Sequence, residues 1–187
     1  MRRKPLVVSL LVALAVGGVC VAVIRRPAPL PRDSSAPGGF QVDPDHPCGV
    51  VCAAVVGHAL GKPLTLRQAR EAVGVDGLAR TSMADLVDGL HRLGFATTGV
   101  KLTRRLLDYS PAPVILHVDN AHFLVVLPVG DGSVVVIDPP NEVHTEAISS
   151  LAARWDGEAV LVQKTPAELR KALASVGLGQ AAVQGVE

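Results

Sequence analysis

The stretch Cys48-Gly49-Val50-Val51-Cys52-Ala53-Ala54-Val55-Val56-Gly57-His58-Ala59-Leu60, entered through Pro47, decides how the rest of the chain is read. It has the length of a helix and is apolar on nearly every side, which predicts a central, buried helix. Cys48 falls in its first turn. Backbone N–H groups there have no intrahelical partner, and the helix dipole places about half a positive charge at that end. Both favour thiolate over thiol, and the thiolate is the nucleophile. Gly49 leaves room for a substrate backbone to approach, and the helix tip offers N–H groups to an oxyanion. Cys52, one turn along, reads as core.

A cysteine activated in this way needs a base. Asn120-Ala121-His122-Phe123-Leu124-Val125-Val126 supplies one, with His122 at the first position of a strand. Val136-Ile137-Asp138-Pro139 ends another strand on a carboxylate. An acid at the second imidazole nitrogen fixes the tautomer and stabilises the imidazolium. In the order Cys48, His122, Asp138 the three fit an activated thiol nucleophile. Each residue also has a plainer reading: Cys48 as a small buried hydrophobe, His122 as a satisfied histidine, Asp138 as a turn residue. Cys48 and Cys52 with His117 and His122 have the number and loose spacing of zinc ligands. The first pair, however, lies in an apolar helix rather than a knuckle. No metal and no cofactor are expected.

The chain changes character half-way. Thr65-Leu66-Arg67-Gln68 is a capping-box pattern opening a helix to about Val73. Ser82-Met83-Ala84-Asp85 opens another, with apolar Met83, Leu86, Val87, Leu90 and Leu93, and Gly94 stops it. From Phe95 the period shortens. Strands are expected at Phe95 to Leu102, Pro113 to Val118, His122 to Val129 and Ser133 to Ile137, paired as a meander through Asp119-Asn120 and Gly130-Asp131-Gly132. Thr103 to Tyr109 reads as a short helical turn, Thr145 to Ala153 as a helix and Glu158 to Gln163 as a further strand. Thr165-Pro166-Ala167-Glu168 starts a last helix that Gly177 ends. A helical half followed by a sheet half predicts an α+β architecture of segregated layers.

Composition sets the outer bounds. The 187 residues carry a net charge of +1 and only 3% aromatic side chains. This excludes the clustered basic footprint and the stacking platforms of a nucleic-acid binder. The three cysteines, Cys20, Cys48 and Cys52, are an odd number and do not make a disulfide framework. Residues 1–26 are basic at both ends, and Leu6 to Ile24 form nineteen residues without a charge. That is long enough for a single membrane-spanning helix. Charge counting puts the N-terminus in the cytoplasm and the domain on the non-cytoplasmic side. Secretion after signal cleavage, or a lipoprotein attached at Cys20, are the alternatives. Residues 27–39, rich in Pro, Ser and Gly, form a linker. Residues 40–164 form the domain, and 165–187 a C-terminal helix and tail.

These pieces resemble the bacteriocin-processing peptidases, papain-like cysteine peptidases that cut leader peptides after a double glycine. The matching segments are CGVVC with its apolar helix, TSMADLVDGLHRLGF, PVILHVDNAHFLVVLPVGDGSVVVIDPP and Trp155-Asp156-Gly157. The resemblance implies a papain-like fold, a buried cysteine helix packed on an antiparallel sheet. It also implies a peptide substrate with small residues at the cut, Cys48 as nucleophile, His122 as general base and Asp138 as its orienter. Such peptidases usually carry a glutamine about six residues before the cysteine, which helps bind the oxyanion. Gln41, seven before, with Pro44 and Pro47 between, is the candidate here. The displaced glutamine leaves open a peptide-binding module of weak or no activity. Many members are fused to an ABC transporter. In these residues no further span and no phosphate-binding loop follows, so a transporter would be a separate partner.

Overall fold

The computed structural model describes residues 47–74, 80–111, 113–140 and 142–178. The expected membrane anchor, the linker and Gln41 lie outside the described residues. Among those described, no helix is long and apolar enough to cross a membrane.

Three helices come first: α1 (Cys48–Ala59), α2 (Leu66–Val73) and α3 (Met83–Arg92). Two of them start where side chains replace the missing backbone acceptors. Thr65 and Gln68 cap α2 reciprocally, and Ser82 and Asp85 cap α3. Such a cap stabilises by about 1 kcal/mol. Gly94 stops α3 with φ +80°, and Phe95 N–H donates back to Leu90 O at 3.0 Å. That left-handed turn favours glycine.

The remaining elements are β1 (Ala96–Lys101), α4 (Arg104–Asp108), β2 (Val114–Val118), β3 (His122–Gly130), β4 (Ser133–Asp138), β5 (Glu142–Ala147), α5 (Ile148–Leu151), β6 (Glu158–Gln163) and α6 (Pro166–Ser175). The six strands form one antiparallel sheet in the order β1-β6-β2-β3-β4-β5.

Two expectations need correction. The segment Thr145 to Ala153 is not a single helix. Its first part belongs to β5, which pairs with β4 from Ser133↔Ala147 to Asp138↔Glu142, and only the short α5 follows. Ala, Glu and Leu there favour a helix, but an open sheet edge decides the outcome, as tertiary pairing often does. The meander is also incomplete: β2, β3, β4 and β5 follow one another, but β6 returns to lie between β1 and β2.

The sheet is covered on both faces, so the layers are less segregated than the pattern implied. Helices α1 to α3 pack on one face, where Ile115, Phe123, Val125, Val160 and Val162 point. The other face presents Leu116, Leu124, Val126 and Leu161 to α4, α5, α6 and Trp155. This explains why β2 and β6 read as continuous apolar runs rather than alternating ones. Helix α1 is the core of the first layer. Val50, Cys52, Ala53, Ala54 and Val56 have no accessible surface.

Candidate active site

Cys48 is the first residue of α1, and Pro47 at the cap offers no side-chain acceptor. The first intrahelical bonds run from Val50 N–H and Val51 N–H to Pro47 O, at 2.9 and 3.3 Å. The tip of the helix therefore carries its partial positive charge without a capping side chain to offset it. Helix α1 lies across β3, which places the sulfur against the beginning of that strand.

The turn Asp119-Asn120, with both residues in the left-handed region, delivers the chain into β3. His122 is the first residue of that strand, opposite Val118. Phe123 follows, and the ladder to β4 begins only at Val125↔Ile137. The Phe123 N–H lies beyond that ladder and donates to Cys48 Sγ at 3.4 Å. Asp138 ends β4 and sits diagonally across from His122. The imidazole Nε2–H donates to Asp138 Oδ1 at 2.6 Å. That leaves Nδ1 to face the thiol, and Cys48 and His122 lie close enough for each to shift the other's proton affinity. The three residues thus form one chain of contacts, from helix tip to strand start to strand end.

The electrostatics follow from these contacts. Burial by itself would raise the Cys48 thiol. The His122 hydrogen bond, the Phe123 amide, the His122 charge and the Gly49 amide together outweigh burial and hold it below the usual range. His122 is raised to about 9, first by its hydrogen bond to Cys48. Burial opposes this, and the hydrogen bond and charge of Asp138 then add to it. A lowered thiol beside a raised imidazole is the signature of a thiolate–imidazolium pair. Cys52 behaves oppositely: full burial pushes its thiol well up. Cys48 and Cys52 are both free.

The four residues weighed as zinc ligands do not converge. His117 Nδ1 contacts Glu158 Oε2 at 2.8 Å, and its ring packs 4.8 Å from that of Phe123. Cys52 faces the core, and among the described residues no group of three or more His, Cys, Asp or Glu side chains could hold a metal ion.

Gly49 carries a packing constraint that its position alone did not suggest. It is buried, and a Cβ there would stand 2.7 Å from Thr81 Cγ2. Glycine there lets Thr81, the residue before the α3 cap Ser82, pack against the tip of α1. Two further participants escaped the sequence reading. The Phe123 amide has no residue-type signal. Arg154 lies 3.9 Å from Asp138 Oδ2, and its only mark in the sequence is that it precedes Trp155-Asp156-Gly157.

Residues 41–167 match the Peptidase C39 family. The chain belongs to that family. As a C39 peptidase it is a cysteine-type peptidase. A relative is the lactococcin-G-processing and transport ATP-binding protein LagD of Lactococcus lactis subsp. lactis, 27% identical over 135 residues. The match takes in 69% of this chain and 19% of LagD, so this C39 chain spans about a fifth of that protein's length. Among solved structures, the peptidase domain of Streptococcus ComA, a bi-functional ABC transporter, superposes with a TM-score of 0.59. It is 24% identical, and the match covers 67% of this chain and 96% of that one. A double glycine motif protease from an AMS/PCAT transporter, in complex with the leader peptide, gives a TM-score of 0.57. It is 20% identical, with 64% and 85% of the two chains covered. These likenesses establish the α+β, papain-like fold with its antiparallel sheet.

Proposed function

We propose that this C39 peptidase cleaves leader peptides after small residues, with Cys48 as nucleophile, His122 as acid and base, and Asp138 as the group that orients the imidazole. The observation that carries the proposal is His122 bonded to Asp138 at 2.6 Å on one side and holding the Cys48 thiol below its usual range on the other. The Cys48 thiolate attacks the scissile carbonyl carbon, and the carbonyl electrons move onto oxygen at the helix tip, where N–H groups are available. The tetrahedral species collapses, the C–N bond breaks, and the His122 imidazolium gives its proton to the leaving amine. Water, giving a proton to His122, then attacks the thioester. The acid product leaves, and thiolate and imidazolium are restored. Gln41 is the proposed side-chain donor to the oxyanion. Leader peptides as the substrate class, and a link to a transporter, are supported by what the LagD, ComA and PCAT proteins are named for.

The same proposal takes the apolar run at residues 6–24 as a single-pass anchor that holds the domain on the non-cytoplasmic side. Synthetic peptides with a Gly-Gly junction, incubated with the parent and with Cys48→Ala, test the chemistry by mass spectrometry. Cleavage after the glycine pair by the parent alone is expected. Cleavage that survives Cys48→Ala overturns the assignment. Fractionation of cells, with protease added to one side of the membrane, tests the anchor.

A further inference from the structure

We infer that Arg154 tunes the site, its charge beside Asp138 setting how firmly His122 keeps its proton. This rests on the roles proposed above for Cys48, His122 and Asp138.

Asp138 spends Oδ1 on His122 and turns Oδ2 toward Arg154 Nη1, 3.9 Å away. The same guanidinium lies 3.9 Å from Asp119 Oδ2, and its Nη2 donates to Glu146 Oε1 at 3.3 Å. One cation thus stands among three carboxylates brought from the β2–β3 turn, the end of β4 and β5. The backbone fixes it there. Arg154 N–H donates to Leu151 O at 3.1 Å, and Asp119 N–H donates to Arg154 O at 2.9 Å. The turn that launches His122 and the loop that carries Arg154 are therefore tied directly to each other. Asp138 is the more sheltered partner, 17% exposed against 31% for the arginine side chain.

The charged and titratable groups on the elements around the imidazole include, on β2, His117, which contacts Glu158 of β6 at 2.8 Å. Helix α1 brings Cys48, and behind it Cys52, which burial keeps protonated. Strand β4 brings Asp138. Beyond Asp138 stand Arg154, Asp119 and Glu146. His144 of β5 lies 4.0 Å from Glu146 through Nε2 and 3.3 Å from Glu142 through Nδ1. Without the guanidinium, the three carboxylates act on the ring uncompensated and the imidazolium gives up its proton less readily. An imidazolium held too tightly is a poor acid toward the leaving amine. Arg154 touches no reacting atom, so it is a positioning residue.

The test compares the parent with Arg154→Met, Arg154→Lys and Glu146→Gln. The midpoint for His122 is read twice, from the alkaline limb of kcat/KM and from an NMR titration of its ring proton. Arg154→Met moves that midpoint up by about half a unit. Glu146→Gln removes a negative charge from the same cluster and moves it down. Arg154→Lys leaves it where the parent has it. An arginine with a purely structural role would lower Tm and kcat and leave the midpoint alone. An unmoved midpoint, or Arg154→Met and Glu146→Gln shifts of the same sign, overturns the inference. Should Arg154→Met fail to fold, Glu146→Gln decides, and absence of its downward shift overturns the inference. The NMR reading needs no turnover, so a parent that cleaves nothing defeats the proposed function without deciding this result.

Discussion

The backbone amide of Phe123 donates to the sulfur of Cys48 across 3.4 Å, joining the tip of α1 to the start of β3. A thiolate accepts that bond better than a thiol does, so the sheet itself favours the charged sulfur. The site is therefore a joint between two layers. It depends on how α1 sits on β3 as much as on which side chains are present.

The two cysteines should separate cleanly. Cys48→Ala is expected to abolish cleavage, whereas Cys52→Ala retains it. Iodoacetamide at mildly acidic pH should label Cys48 far faster than Cys52, as peptide mapping by mass spectrometry would show. Cys52→Ser places a hydroxyl in the core and should cost about 1–3 kcal/mol in denaturant unfolding if it finds no partner.

Activity and stability should part company at alkaline pH. His122 is raised to about 9 from 6.5, so its contribution to stability is complete below 6.5 and is lost as pH rises through about 9. Cys48 is lowered from 9.0, so its contribution is present above 9.0 and is lost as pH falls through its folded value. Between the folded Cys48 value and about 9 the two run in opposite directions, so the Cys48 contribution offsets part of the His122 loss. Above about 9, kcat/KM falls as the imidazolium is lost. The urea midpoint should fall less steeply between pH 8 and 9.5 in the parent than in Cys48→Ala, which lacks the offsetting thiol. Equal slopes in the two proteins would contradict this.

Asp138→Asn keeps the shape and removes the charge. The His122 tautomer is no longer fixed by an acceptor-only group, and the imidazolium loses its nearest counter-charge. A fall in kcat of roughly 10²–10⁴-fold is expected, with KM little changed. Steady-state kinetics on a leader-junction peptide measure it.

Gly49→Ala tests the packing between α1 and Thr81. The added methyl meets a short, branched side chain at 2.7 Å, and α1 has to give way. Overpacking of this kind costs roughly 1–3 kcal/mol. Gly49→Ala combined with Thr81→Ser, which removes the methyl it strikes, should recover part of both stability and rate. No recovery in thermal unfolding would mean that the glycine serves some other purpose.

Much of this arrangement was legible in the residues because its signals are local. Thr65 with Gln68, Ser82 with Asp85 and Thr165 with Glu168 announce their helices within four positions, and all three capping boxes are formed. That Cys48, His122 and Asp138 neighbour one another was legible from a helix start, a strand start and a strand end in that order. What local signals do not carry is pairing over distance. Glu142 to Ala147 has an undistinguished composition, and only the free edge of β4 makes it a strand. Arg154 acquires its importance from carboxylates that lie 8, 16 and 35 residues away. The packing constraint on Gly49 was invisible because its neighbour Thr81 lies 32 residues further on.

The insertion of β6 between β1 and β2 has a consequence for biogenesis. A nascent chain on the ribosome that has not yet emerged past Gln163 has two strands, β1 and β2, with no neighbour to join them. The helical layer then has only a broken platform to settle on, with α1 against β3 and α3 against a β1 not yet joined to it. The sheet therefore closes late, once translation has delivered the keystone strand.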